Sequence, residues 1–150
     1  LAGERKVVAY IGTQAFTRQL VEKSGYFVVQ IPVVSQMATV LYAGGRSYAD
    51  APDKNDSIPF IYQPGFDIPL VAGCAGWLVC KVMPYPDIQQ QHNLFMGDIV
   101  AAWSDDRVFR NGHWIFEDAP DELRTVHYVA GGQFYAIGKG SKFDHGPGQD

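Results

Sequence analysis

The most constraining stretch of the sequence is Gly12 to Pro32, Gly-Thr-Gln-Ala-Phe-Thr-Arg-Gln-Leu-Val-Glu-Lys-Ser-Gly-Tyr-Phe-Val-Val-Gln-Ile-Pro. It reads as a short amphipathic helix that ends at Ser24-Gly25 and leaves as an apolar strand stopped by Pro32. Thr13 is expected to cap the helix, because a threonine hydroxyl accepts a backbone N–H two or three residues on. Phe16, Leu20 and Lys23 recur at helical spacing on one side, with Val21 beside them. Gly25 suits the left-handed residue that ends such a helix. Free N–H groups at the helix start, two threonine hydroxyls and Arg18 together make a place for a phosphate. An ordinary capped helix with no ligand fits the same residues.

The remaining chain is punctuated at short intervals. Lys6 to Ile11 is a β-type run that feeds directly into the Thr13 turn. Ser35 is placed to cap a second short helix through Met37, Val40 and Leu41, ended by Gly44-Gly45. A polar loop from Arg46 to Lys54 leads to a brief strand over Ile58 to Tyr62. From Gly73 on, strands dominate: Gly76 to Val82, then His92 to Trp103 after a break at Pro84 and Pro86. Gly97 inside the longer run marks a bulge or a close backbone approach. Asn111-Gly112 between Val108-Phe109 and His113–Phe116 is a strong hairpin signal. Ala119 to Leu123 is a turn or a single helical turn. Thr125 to Val129 and Phe134 to Ile137 are the last strands, around Gly131-Gly132. Short antiparallel strands with two short helices inserted early point to a small barrel, mainly β, in one domain.

Bulk properties narrow the function. A 150-residue chain with 47% hydrophobic residues can bury a real core. Its 12 basic and 16 acidic residues give a net charge of −4, which argues against nucleic acid or an acidic membrane surface as partner. No apolar run approaches membrane-spanning length. Aromatic residues at 13% suit a β-rich core or a pocket for a flat ligand. Cys74 and Cys80, placed on one strand, would lie about 20 Å apart by strand rise, too far to bridge, so they read as core residues of a reducing compartment. The chain starts at Leu1, not Met, so its N-terminus is expected to have been cut, processed or left out.

Side-chain chemistry is sparse. His92, His113, His127 and His145 show no metal-ligand spacing, and the cysteines form no CxxC pair. His127, beside Tyr128, is the one to watch, with a hydrogen-bonded structural role as the plainer reading. There is no Gly-x-Ser-x-Gly, and Asp105-Asp106 sits in a turn. Neither glycine pair belongs to a nucleotide-binding pattern. Arg46 and Lys54 share one loop and carry the charges that a phosphate at the Thr13 helix start would need, although from composition alone a solvated loop with unpaired surface charges is the plainer reading. Any catalysis would therefore be carried by a bound cofactor.

Three stretches together resemble the flavin reductase-like family, the FMN-binding split barrels. They are Val7 to Pro32, with Ser24-Gly25-Tyr26-Phe27-Val28-Val29-Gln30-Ile31-Pro32 at its end; the loop Gly44 to Lys54; and Pro69 to Cys80 followed by His92 to Val100. The resemblance implies a six-stranded Greek-key split β-barrel over residues 1–140 and a homodimer holding FMN; the composition from Gly138 onward, rich in Gly, Lys and Asp, reads separately as a flexible tail, set at 141–150. By position it points to Thr13, Gln14, Phe16 and Thr17 at the cofactor's phosphate and ribityl chain. It also points to Arg46 and Lys54 as nearby positive charge, and to Phe134 and Tyr135 near the flavin or nicotinamide pocket. Relatives usually carry a further strand pair before the position of Lys6, so the N-terminal portion is expected to be missing. The implied activity is a cytoplasmic oxidoreductase passing hydride from NAD(P)H to bound flavin, then electrons to free flavin, ferric iron or a partner protein. Alternatives are a non-catalytic FMN-binding electron carrier and a dimeric barrel for another flat ligand.

Overall fold

The computed structural model describes residues 5–45, 53 and 56–147. In chain order the elements are β1 (Lys6–Tyr10), α1 (Phe16–Ser24), β2 (Tyr26–Ile31), α2 (Met37–Gly44), β3 (Phe60–Ile61), β4 (Leu70–Val71) and β5 (Gly76–Val82). They continue with α3 (Pro86–His92), β6 (Leu94–Ser104), β7 (Phe109–Arg110), β8 (His113–Trp114), β9 (Val126–Ala130) and β10 (Gln133–Ala136). The fold is mainly β. One curled antiparallel sheet in the order β1-β6-β5-β2 forms a half-barrel, and the other strands pair as β3–β4, β7–β8 and β9–β10. Of the six-stranded barrel that the sequence implies, the described residues supply these four strands of a single sheet. No helix among them is long and apolar enough to cross a membrane.

The sheet is packed on both faces. On one, Phe27, Cys80 and Phe95 meet Val21 of α1. On the other, Trp77 packs with Leu70 and Cys74, and its indole N–H donates to the Val71 carbonyl at 2.9 Å. A third cluster of Val33, Ala75, Val108 and Phe116 lies beyond the end of the sheet. The β5–β6 ladder pairs Val79 with Ala101 and Cys80 with Ile99, so Val100 is the extra residue of a bulge. Gly97 answers to the close approach instead: a Cβ there would lie 2.7 Å from the Cys80 Cβ and 2.8 Å from the Phe27 ring.

Most of the expected elements are present, with the Asn111-Gly112 turn in left-handed backbone at φ 53° and 79°. Three expectations are corrected. The strand placed over His92 to Trp103 begins only at Leu94, because Pro86 to His92 is helix α3. Pro86 pre-sets φ at the first helical position, Asp87 favours the positive helix end, and Asn93 ends the helix in left-handed backbone, its N–H donating to Gln89 O. Ser35 does not cap α2: a 3₁₀ turn over Val34–Gln36 precedes the helix, and Gln36 Oε1 accepts the Val33 N–H at 3.2 Å. Cys74 lies ahead of β5, so the two cysteines do not share a strand. Both are free and buried. Burial pushes both thiols above their ordinary range, partly offset at Cys74 by a hydrogen bond with Gln36.

The Gly97→Ala substitution has no room for its methyl group between backbone, Cys80 and Phe27. Overpacking of this kind should lower the unfolding free energy by about 1–3 kcal/mol, read from the urea midpoint of the variant against the wild type.

Candidate functional site: a neutral aromatic groove at the start of α1

The segment between β1 and α1 shapes the site. Gly12 O accepts the Ala15 N–H at 3.1 Å, and Ala15 O accepts the Arg18 N–H at 3.0 Å. Thr13 and Gln14 are therefore turn residues, and Ala15 occupies the cap position with extended backbone and no side-chain hydrogen bond. The expected Thr13 cap is not formed, because the helix starts two residues later than a Thr13 cap would have it. At the other end Gly25 has φ 76° and donates its N–H to Val21 O, as read from the sequence.

Helix phase follows from that start. Val21 and Arg18 turn inward, at 3% and 4% exposure, while Leu20 stays half exposed. Phe16, Thr17 and Leu20 line one wall of a groove of about 1070 Å³. The strand wall comes from Tyr26, Val28 and Gln30, one alternate set of β2. Ala43, Gly44 and Gly45 at the end of α2 close one side, and Phe60, Ile68 and Val71 another. Gln30 ties two walls together, its Oε1 accepting the Val71 N–H at 2.7 Å.

Among the described residues, no charged side chain lines this groove. Its polar groups are amides and hydroxyls: Gln14, Thr17, Tyr26 and Gln30. Such a lining suits a flat, uncharged ring and a hydroxylated chain. Gly45 brings the groove wall to the residue before Arg46. Arg46 and Lys54 themselves lie outside the described residues.

The structure brings Gln14, Phe16 and Thr17 together at the groove, whereas Thr13 is an exposed turn residue that does not line it. Arg18, read as an anion partner, is corrected to a buried hub. Its Nε meets Glu22, its Nη1 donates to Ile11 O at 2.9 Å and Asn93 Oδ1 at 2.7 Å, and its Nη2 donates to Gln89 O at 3.0 Å. The guanidinium also lies 4.9 Å from the Phe95 ring centre. Four of its five N–H donors are thus taken up within the fold.

Phe134 and Tyr135 lie on β10, and neither borders the groove. Phe134 packs on Tyr128 across the β9–β10 ladder at 4.9 Å, while Tyr135 is 63% exposed. His127, opposite Tyr135, is exposed as well. The Tyr26, Val28, Gln30 wall was missed in the sequence. A glutamine at the third alternate position of an otherwise apolar strand was the available signal.

Replacing Gln30 by leucine keeps volume but leaves the Val71 N–H without its acceptor. A loss of about 1–3 kcal/mol in unfolding free energy is expected, measured by urea denaturation.

With this geometry in hand, comparison with known proteins assigns the family. Residues 6–128 match the family described as flavin reductase like domain. An uncharacterised protein of Escherichia coli (strain K12), YddH, is 33% identical over 136 residues, covering 89% of this chain and 71% of its own. The solved FMN-binding domain of a flavin reductases-like enzyme from Shewanella baltica OS155 superposes with a TM-score of 0.90 at 41% identity, covering 93% of this chain and 74% of that one. Flavoredoxin of Desulfovibrio vulgaris (Miyazaki F) shares the fold, with a TM-score of 0.75 at 20% identity over 96% of this chain and 76% of that one. The chain thus belongs to the flavin reductase-like domain family.

Proposed function

We propose that the protein is an FMN-dependent oxidoreductase whose cofactor lies in the groove at the start of α1. The observation that carries this reading is the convergence of Gln14, Phe16 and Thr17 with the Gly44–Gly45 end of α2 on one groove, in a chain of this family. The S. baltica structure is that of an FMN-binding domain, which supports the same cofactor here. The chemistry that FMN would supply here is hydride transfer from NADH or NADPH, with electrons passed on to free flavin, ferric iron or a partner protein.

The chain's own part is binding and exclusion of water. Phe16, Tyr26 and Phe60 offer flat apolar surface to a ring system, and an aromatic wall excludes water from it. Thr17 and Gln14 provide hydrogen-bonding groups at the helix start, and Gln30 offers its amide N–H groups, since its Oε1 is held by Val71. Arg46 and Lys54 are assigned to balance the phosphate charge, because the described lining carries none. Hydride transfer itself needs no protein acid or base.

The exposed hairpin residues Tyr128, Val129 and Tyr135 support a homodimer, with Phe134 and Tyr135 approaching the nicotinamide side of the flavin. The two buried free thiols accord with a reducing, cytoplasmic setting. A second reading of the same groove is an FMN carrier that reacts slowly with NAD(P)H.

Titration of FMN with the protein tests the reading by fluorescence. Saturable quenching is expected, and a colourless protein that leaves FMN fluorescence unchanged would overturn both readings. Bleaching near 450 nm by NADH or NADPH then separates reductase from carrier. Thr17→Val and Lys54→Ala should each weaken FMN binding by about 1–2 kcal/mol, the scale of one lost hydrogen bond to a charged group. Unaltered affinity in both variants would remove the cradle.

A further inference from the structure

We propose that Arg18 is a positioning residue for the groove: one buried guanidinium fixes both ends of the Gly12–Thr17 segment and so sets where Gln14, Phe16 and Thr17 stand. The inference rests on the reading of the groove as the FMN site. The start of α1 has no side-chain cap, so its geometry must be held from elsewhere. Arg18 follows the segment and Ile11 precedes it, and Arg18 Nη1 donates to Ile11 O at 2.9 Å.

The clamp closes through a third residue. Asn93 Oδ1 accepts from Arg18 Nη1 at 2.7 Å, and the Asn93 carbonyl accepts the Ile11 N–H at 2.9 Å. Both polar groups of the Ile11 backbone are thereby fixed. Asn93 can reach both because it sits in left-handed backbone at φ 58°. Arg18 Nη2 adds Gln89 O of α3 at 3.0 Å, so α1 is referenced to α3 and β6, elements that do not border the groove. The planar fork of arginine supplies these directions at once, which a lysine ammonium on a flexible stem does not. Arg18 itself is 4% exposed and does not line the groove. Its effect reaches a ligand only through the segment it holds.

The test compares Arg18→Met, Arg18→Lys and Asn93→Gly with Val108→Ala, which creates a cavity in the cluster away from the groove. Each full-length variant is checked for folding by circular dichroism, then titrated with FMN well below its melting temperature. Arg18→Met should weaken FMN at least tenfold, Arg18→Lys less, and Asn93→Gly several-fold, while Val108→Ala keeps the wild-type Kd despite its lower stability. Should Arg18→Met not fold, Asn93→Gly keeps the left-handed backbone and removes only the side-chain contact. Wild-type affinity in the folded Arg18 and Asn93 variants, or an equal loss in Val108→Ala, overturns the proposal. If the wild type itself binds no FMN, the groove reading fails first. Amide exchange at Gln14 to Thr17 then decides the clamp: faster exchange there than in Val108→Ala upholds it, and equal exchange overturns it.

Discussion

The Phe27 ring and the Cys80 side chain occupy the space over Gly97 that any larger residue would fill, and much of the molecule depends on that contact. It lets β6 pass directly beneath Phe27 of β2 while staying paired with β1 and β5. Phe95 precedes Gly97 by two residues on the same face, and Val21 of α1 completes the cluster. The position of α1 over the sheet is therefore fixed by apolar packing of one residue, Val21, together with the polar fixture of Arg18 one turn earlier. The groove is the space left between the other wall of this helix, the edge strand β2 and the end of α2.

That arrangement separates two physical jobs. Apolar and amide groups of the described groove offer shape, ring contact and neutral hydrogen bonds. The described lining carries no charge: Arg18 is consumed inside the fold, and Arg46 and Lys54 follow Gly45 in the sequence, outside the described residues. A cofactor with a flat ring, a polyhydroxyl chain and one phosphate has the same division. This is the physical sense in which membership of the flavin reductase-like family and the local lining agree.

Local rules made much of this legible in the sequence. Gly25 and Asn111-Gly112 announced their turns because left-handed backbone strongly favours glycine and asparagine. The strand Gly76–Val82 has the bounds its sequence suggests, and of the two readings of Gly97, a bulge or a close approach, the close approach holds. What failed were side-chain roles set by tertiary context. Thr13 has the chemistry of a cap, but the Gly12–Ala15 turn delays the helix until Phe16. Arg18 looked like an anion partner on its own helix, because Asn93 and Gln89, its actual partners, lie more than 70 residues away. Helix α3 was hidden by two prolines read only as breakers, although Pro86 starts it. The groove wall of Tyr26, Val28 and Gln30 depends on β4, whose Val71 N–H donates to Gln30 Oε1 from 41 residues away in sequence.

The most direct test of the central claim is residue-resolved mapping of FMN binding by amide chemical shifts of the full-length protein. The account predicts that FMN shifts Gln14 to Thr17, alternate residues of β2 from Tyr26 to Gln30, and Gly44–Gly45. Saturable binding whose shifts leave those residues unmoved and gather instead around Trp114 and Phe116, which line a separate concavity, would contradict it.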